Sequence, residues 1–145
     1  MRNRALAADY VRRARARLPT LDVLYEAQSW ADVVRESQEI VELGLKGLLR
    51  SVGVDPPRLH DVADVLEAER TRLPAPVLER LDDLSRASRS LRRDRELAFY
   101  GAEDLTPSDF YRKSDASEAR AAARLVVETV VPCVPGTTLT PGTAP

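Results

Sequence analysis

The sequence predicts an all-α protein, an up-and-down bundle of four to five main helices with one short crossing helix. Three observations predict it. From residue 30 to 52 apolar or small side chains recur at helical spacing for about six turns, through Trp30, Val33, Val34, Ser37, Val41, Gly44, Leu45, Leu48 and Val52. No pair of alternating runs joined by a turn signal marks a strand hairpin. Aromatic residues make up only 5% of the chain, while Ala, Leu, Arg and Glu are abundant, a balance that favours helix. Helices with one apolar stripe each must cover one another, and 145 residues supply one core and no second.

The first helix is expected over about residues 3 to 28, bent near Pro19, with Leu6, Tyr10, Ala14, Leu18, Leu21, Leu24 and Tyr25 as its apolar face. The second, over about 30 to 51, ends at Gly53, a good left-handed stop. Glu42 and Lys46 form a favourable pair one turn apart, and Gly44 and Gly47 allow another backbone to come close. Pro56-Pro57 is a rigid connector into a short helix over about 60 to 69 that carries Val62, Val65 and Leu66. Leu73-Pro74-Ala-Pro76 breaks that helix and starts a long one over about 76 to 100, with proline tolerated in the first turn. Thr106-Pro107-Ser108-Asp109 has the chemistry of a short helical turn, after which Phe110 and Tyr111 can pack.

The last helix is expected over about 115 to 131, opened by Asp115 and Glu118 in capping-box spacing and closed by Pro132. Its core face is Ala119, Ala122, Ala123, Val126, Val127 and Val130. The domain therefore spans about residues 1 to 131, and the aperiodic Pro, Gly and Thr-rich stretch from 132 to 145 reads as a disordered tail.

Composition excludes several classes. One cysteine, Cys133, cannot build a disulfide framework, and in a floppy tail it is expected to be inert. With no signal peptide and no apolar run of about 18 residues, the chain is expected to be cytoplasmic with no membrane contact. A net charge of −1 gives no global attraction to nucleic acid. Arginines nevertheless crowd both the start, from Arg2 to Arg17, and the stretch from Arg86 to Arg95; such runs are usually solvated helix faces. No Gly-rich phosphate loop, His-Glu-x-x-His, Cys-x-x-Cys or Gly-x-Ser-x-Gly occurs, so no cofactor and no metal site are expected.

Arg95 is the residue that breaks pattern. The seam of the long helix steps through Val77, Leu81, Leu84, Ser88 and Leu91, and the next step lands on Arg95. A buried unpaired guanidinium costs several kcal/mol, so this one must meet an acid or line a cleft. In a structural reading it pairs with Glu36, Glu39 or Glu42 of the second helix. In a functional reading it presents donors to a phosphate, with Arg92 and Glu96 lining the same wet groove and the Tyr100 hydroxyl near its end. The string closes at Gly101, a helix stop. His60 stands beside Asp61, where an imidazole oriented by a carboxylate can act as a general base; the bland reading is a helix-start histidine bonded to a backbone carbonyl.

The block from Trp30 to Leu49, with Gln38, Glu39, Glu42 and Lys46 inside it, then Gly53 to Pro57, His60-Asp61-Val62 and finally Arg95-Glu-Leu-Ala-Phe-Tyr100-Gly101, resembles the HEPN family over about residues 5 to 131. The resemblance implies an HEPN-like bundle, usually a homodimer with a groove at the junction. It further implies a possible nucleotidyltransferase partner in a toxin–antitoxin-like system, and RNA or a nucleotide as ligand. Catalytic members resemble one another in an arginine followed, after four to six residues, by a histidine, and act as metal-independent ribonucleases. Arg95 matches the arginine, but Tyr100 stands in the histidine's place. Three readings follow: a binding protein with little or no catalysis; a ribonuclease toxin using Arg95 with Tyr100 or His60; and a purely structural interaction module. Some family toxins carry an AMP on a tyrosine near the motif, which makes Tyr100 a candidate modification site.

Overall fold

A computed structural model describes residues 3–100 and 110–137, with side chains described outside residues 92–100. All regular structure among them is helical, as the periodicity predicts. The chain runs α1 (Arg4–Ala16), α2 (Leu18–Glu26), α3 (Trp30–Ser51), α4 (Ala63–Ala68), a 3-10 turn (Arg70–Arg72), α5 (Ala75–Glu79), α6 (Leu81–Tyr100), α7 (Lys113–Val130) and a closing 3-10 turn (Val131–Cys133). No described helix is long and apolar enough to cross a membrane. The turn expected at Thr106 to Asp109 lies outside the described residues.

The core is built around α3, whose bounds match the expected ones. Beyond the predicted stripe it also buries Ile40, Gly47 and Leu49, because α1 and α7 cover different sides of it. Gly53 follows at φ +82°, the left-handed stop its type allows. The expected single first helix is instead two. Pro19 has no N–H to offer the carbonyl four residues back, so the ladder stops at Arg17 and restarts with proline in the first turn of α2. The buried residues of α1 are Ala7, Ala8, Val11 and Ala14, while Leu6 and Tyr10 are half-buried. Gly47 is the cause: it draws α1 so near α3 that only small side chains fit between them.

The predicted long helix is also two, divided at Arg80 (φ −115°, ψ 15°) where the Arg80 N–H bonds the Val77 carbonyl at 3.1 Å. The seam nevertheless runs unbroken, with Val77, Leu81, Leu84, Ser88 and Leu91 all buried. α4 starts at Ala63 rather than near 60, because Asp61 turns its carboxylate onto the Ala63 N–H at 2.9 Å and ends the connector there. α7 starts at Lys113, with Asp115 as its third residue reaching back to the Arg112 N–H at 2.8 Å.

The stretch expected to be disordered from 132 is packed as far as Thr137. Val134 and Thr137 are buried, and the Thr137 hydroxyl lies 2.8 Å from the carbonyls of both Val131 and Val134. Two arginines of α1 take up the following carbonyls, Arg12 that of Gly136 at 3.0 Å and Arg15 that of Thr137 at 3.3 Å. Part of the N-terminal arginine run is thus a fastener for the other end of the chain.

Candidate functional site

Arg95 lies on α6 one turn beyond the buried Leu91, and Tyr100 is the last residue of that helix. The five-residue step between them spans about 7.5 Å of helix rise. The side chains of Arg92, Arg95, Glu96 and Tyr100 lie outside the described residues. Of the acids nominated to pair with Arg95, Glu36 and Glu39 each face Arg17 at 3.7 Å, and Glu42 holds His60 and Lys46.

His60 is placed differently from the expected helix start. It sits on the connector with its Nδ1 2.5 Å from Glu42 Oε1, while the other Glu42 oxygen lies 3.7 Å from Lys46 Nζ. A carboxylate only accepts, so Nδ1 donates its N–H to Glu42. The orienting carboxylate is therefore Glu42 of α3 and not the neighbouring Asp61. Asp61 instead accepts from Ser88 Oγ of α6 at 2.7 Å, and that same Ser88 oxygen accepts the Val62 N–H at 2.7 Å. This short connector thereby ties α3 to α6. It meets α6 at Ser88, seven residues and about 10 Å of helix rise before Arg95.

A groove of about 720 Å³ opens between α3, α6 and α7. Ser37 and Val41 of α3 lie along its base, Asp83 to Leu91 of α6 form one wall, and Asp115 to Leu125 of α7 form the other. Phe110 and Tyr111 also line it, packed edge to face with centroids 5.3 Å apart. Leu91, the last residue of α6 whose side chain is described, is among the groove's lining residues and stands one turn before Arg95. Among the described residues no group of three or more His, Cys, Asp or Glu is arranged to hold a metal ion.

On the far side of α7, Arg120 stacks on the Tyr25 ring at 3.6 Å and joins Arg124 on Asp22. The Tyr25 hydroxyl meets Ser117 Oγ at 2.8 Å, and its ring meets Trp30 edge-on. These contacts fasten α2 to α7. Cys133 is not in a floppy segment but in the closing 3-10 turn, half-buried, and burial pushes its thiol pKa up. Its alkylation by iodoacetamide at pH 7.5 is expected to be slower in the native protein than in urea, since only the thiolate reacts; equal rates would mean the turn does not shield it.

The model of the HEPN domain matches residues 7–133 of the chain. The chain belongs to the HEPN family. The match ends within the closing turn, where the packed C-terminal segment begins. No curated protein and no solved structure matches. Both Arg95 and Tyr100 fall within the matched residues, on α6.

Proposed function

We propose that this HEPN protein works by binding rather than by cutting, as a homodimer that uses the Arg95 end of α6 to engage a phosphate-bearing ligand, RNA or a nucleotide, or a nucleotidyltransferase partner in a toxin–antitoxin-like pair. The observation that carries this reading is the placement of the one histidine. His60 is bonded to Glu42 on a connector that joins α6 two turns before Arg95, while the histidine position of the motif holds a tyrosine. A phenol with a pKa near 10 is a poor general base at neutral pH, and a well-matched base is typically worth 10²- to 10⁴-fold in rate. An arginine without that base still offers a planar fork of donors to a phosphate. A fork without that base keeps affinity and lacks turnover.

The test uses purified protein and several fluorescent RNAs in EDTA. No cleavage is expected, with saturable binding that Arg95→Ala weakens about tenfold, the scale of one lost charge-assisted contact. Metal-independent cleavage abolished by Arg95→Ala would establish the ribonuclease reading instead. Binding unchanged in Arg95→Ala, with a lowered melting temperature, would make Arg95 a structural ion pair. Light scattering on the same samples tests the dimer.

A further inference from the structure

In a chain whose net charge is −1, α1 carries Arg4, Arg12, Arg13 and Arg15 against a single acid, Asp9. Arg4, Arg12 and Arg15 step by eight and three residues, so they share one face within about 80° of arc and along about 16 Å of helix; Arg13 stands about 100° round from Arg12. All four are exposed. Asp9 is a loose partner, its oxygens 3.8 Å from Arg12 and 4.0 Å from Arg13, beyond hydrogen-bond length. Among the described residues no other acid reaches any of the four.

What holds Arg12 and Arg15 in place is neutral. The closing segment turns at Gly136, φ +86°, and the successive carbonyls of Gly136 and Thr137 accept from Arg12 Nη1 at 3.0 Å and from Arg15 Nη1 at 3.3 Å. A carbonyl fixes a guanidinium without discharging it, so each keeps its full charge and most of its donors. No residue from Val131 to Thr137 is acidic. Two side chains rich in rotamers are thus ordered before any ligand arrives, which removes part of the cost of binding one. The family match covers residues 7–133, so Arg4 and the segment that holds the pair both lie outside it.

A row of ordered, undischarged guanidiniums suits a ligand whose negative charges repeat along a line. A stacked nucleic-acid strand carries one every 3.4 Å or so, about five along this face. No large apolar side chain of α1 is exposed, so the face has nothing to bury in a bilayer. We propose that the Arg4–Arg12–Arg15 face of α1 is a second, sequence-independent site for single-stranded RNA, held ready by the closing segment. None of its residues lies on α6, so it goes beyond the Arg95 reading and stands without it.

The probe is a short fluorescent oligouridylate, titrated against the full chain by anisotropy in EDTA at several KCl concentrations. In the Arg95→Ala background, which takes away the α6 contact, saturable binding is expected to remain, with a slope of log K against log salt of about −2, as for three phosphate contacts. Adding Arg12→Gln and Arg15→Gln together is expected to weaken it about tenfold or more and to make the slope shallower by about 1.4. Arg4→Gln, which touches none of the closing carbonyls, is expected to cost about threefold and decides the matter if melting curves show the double change unfolding. Arg13→Gln removes the same charge from the other flank and is expected to cost less than about twofold. Equal losses from Arg13→Gln and Arg4→Gln, or affinity unchanged by Arg4→Gln and by the double change, overturn the proposal. Phosphatidylserine vesicles or polyglutamate that bind more tightly than the RNA, with the same dependence on Arg12 and Arg15, overturn RNA as the occupant. Affinity lost through Arg95→Ala alone ends this site and leaves the earlier reading, whereas affinity lost only through the α1 changes ends the earlier reading and leaves this site.

Discussion

Replacing Ser88 by valine is expected to lower the unfolding free energy by about 2–4 kcal/mol, one of the largest losses any single polar side chain here can produce. Ser88 is fully buried on the seam of α6, and its one hydroxyl does two things at once. It donates to the Asp61 carboxylate and accepts the Val62 N–H, and Val62 is itself buried. Valine carries no polar atom, so the Val62 amide is left dry and unpaired while Asp61 keeps only the Ala63 N–H, and its extra methyl group overpacks the fully buried seam. An orphaned buried donor costs about 1–3 kcal/mol, and weakening a charged acceptor adds to it. The control is His60→Ala. That change removes the other arm of the same connector, but His60 is half-exposed, and exposed ion pairs are typically worth under about 1 kcal/mol. Urea denaturation of both variants, with m unchanged, reads the difference. If Ser88→Val costs no more than His60→Ala, the connector is not anchored through the buried hydroxyl.

That anchor also explains what the sequence could and could not disclose. Features set by neighbours in the chain were legible: the period of α3, the Gly53 stop, the Glu42–Lys46 pair and the seam from Val77 to Leu91 are all local. The HEPN resemblance was legible because it rests on the order and spacing of blocks along the chain. Boundaries set by distant partners were not. His60 and Asp61 look like one dyad in sequence, yet each is claimed by a different helix, His60 by α3 and Asp61 by α6. The segment after Pro132 has no periodicity, and its order as far as Thr137 comes from arginines more than a hundred residues away. The break at Arg80 has neither proline nor glycine to announce it.

Gly47→Ala is expected to destabilise the protein by about 1–3 kcal/mol, although alanine favours a helix by about 1 kcal/mol over glycine. The reason is the closeness of α1. A methyl group at position 47 would stand 2.6 Å from Val11 Cγ2, 3.1 Å from the Ala7 carbonyl oxygen and 3.1 Å from Tyr10 Cβ. Two of those atoms lie on or next to the backbone and cannot rotate away, so α1 itself must move off α3. Gly44 provides the comparison within the same helix. Its added methyl would meet Val126 Cγ1 at 2.9 Å and nothing else closer than 4 Å, a single side-chain contact on α7. Small adjustments there offset the gain in propensity, and Gly44→Ala is expected within about 1 kcal/mol of the parent. Chemical denaturation of the two single variants measures the contrast directly. Moving α1 also disturbs the Arg12 and Arg15 contacts to the C-terminal carbonyls, so Gly47→Ala should loosen the closing turn and raise the alkylation rate of Cys133. A Gly47→Ala protein as stable as Gly44→Ala, with its thiol still shielded, would mean that α1 is not seated on α3 through this glycine.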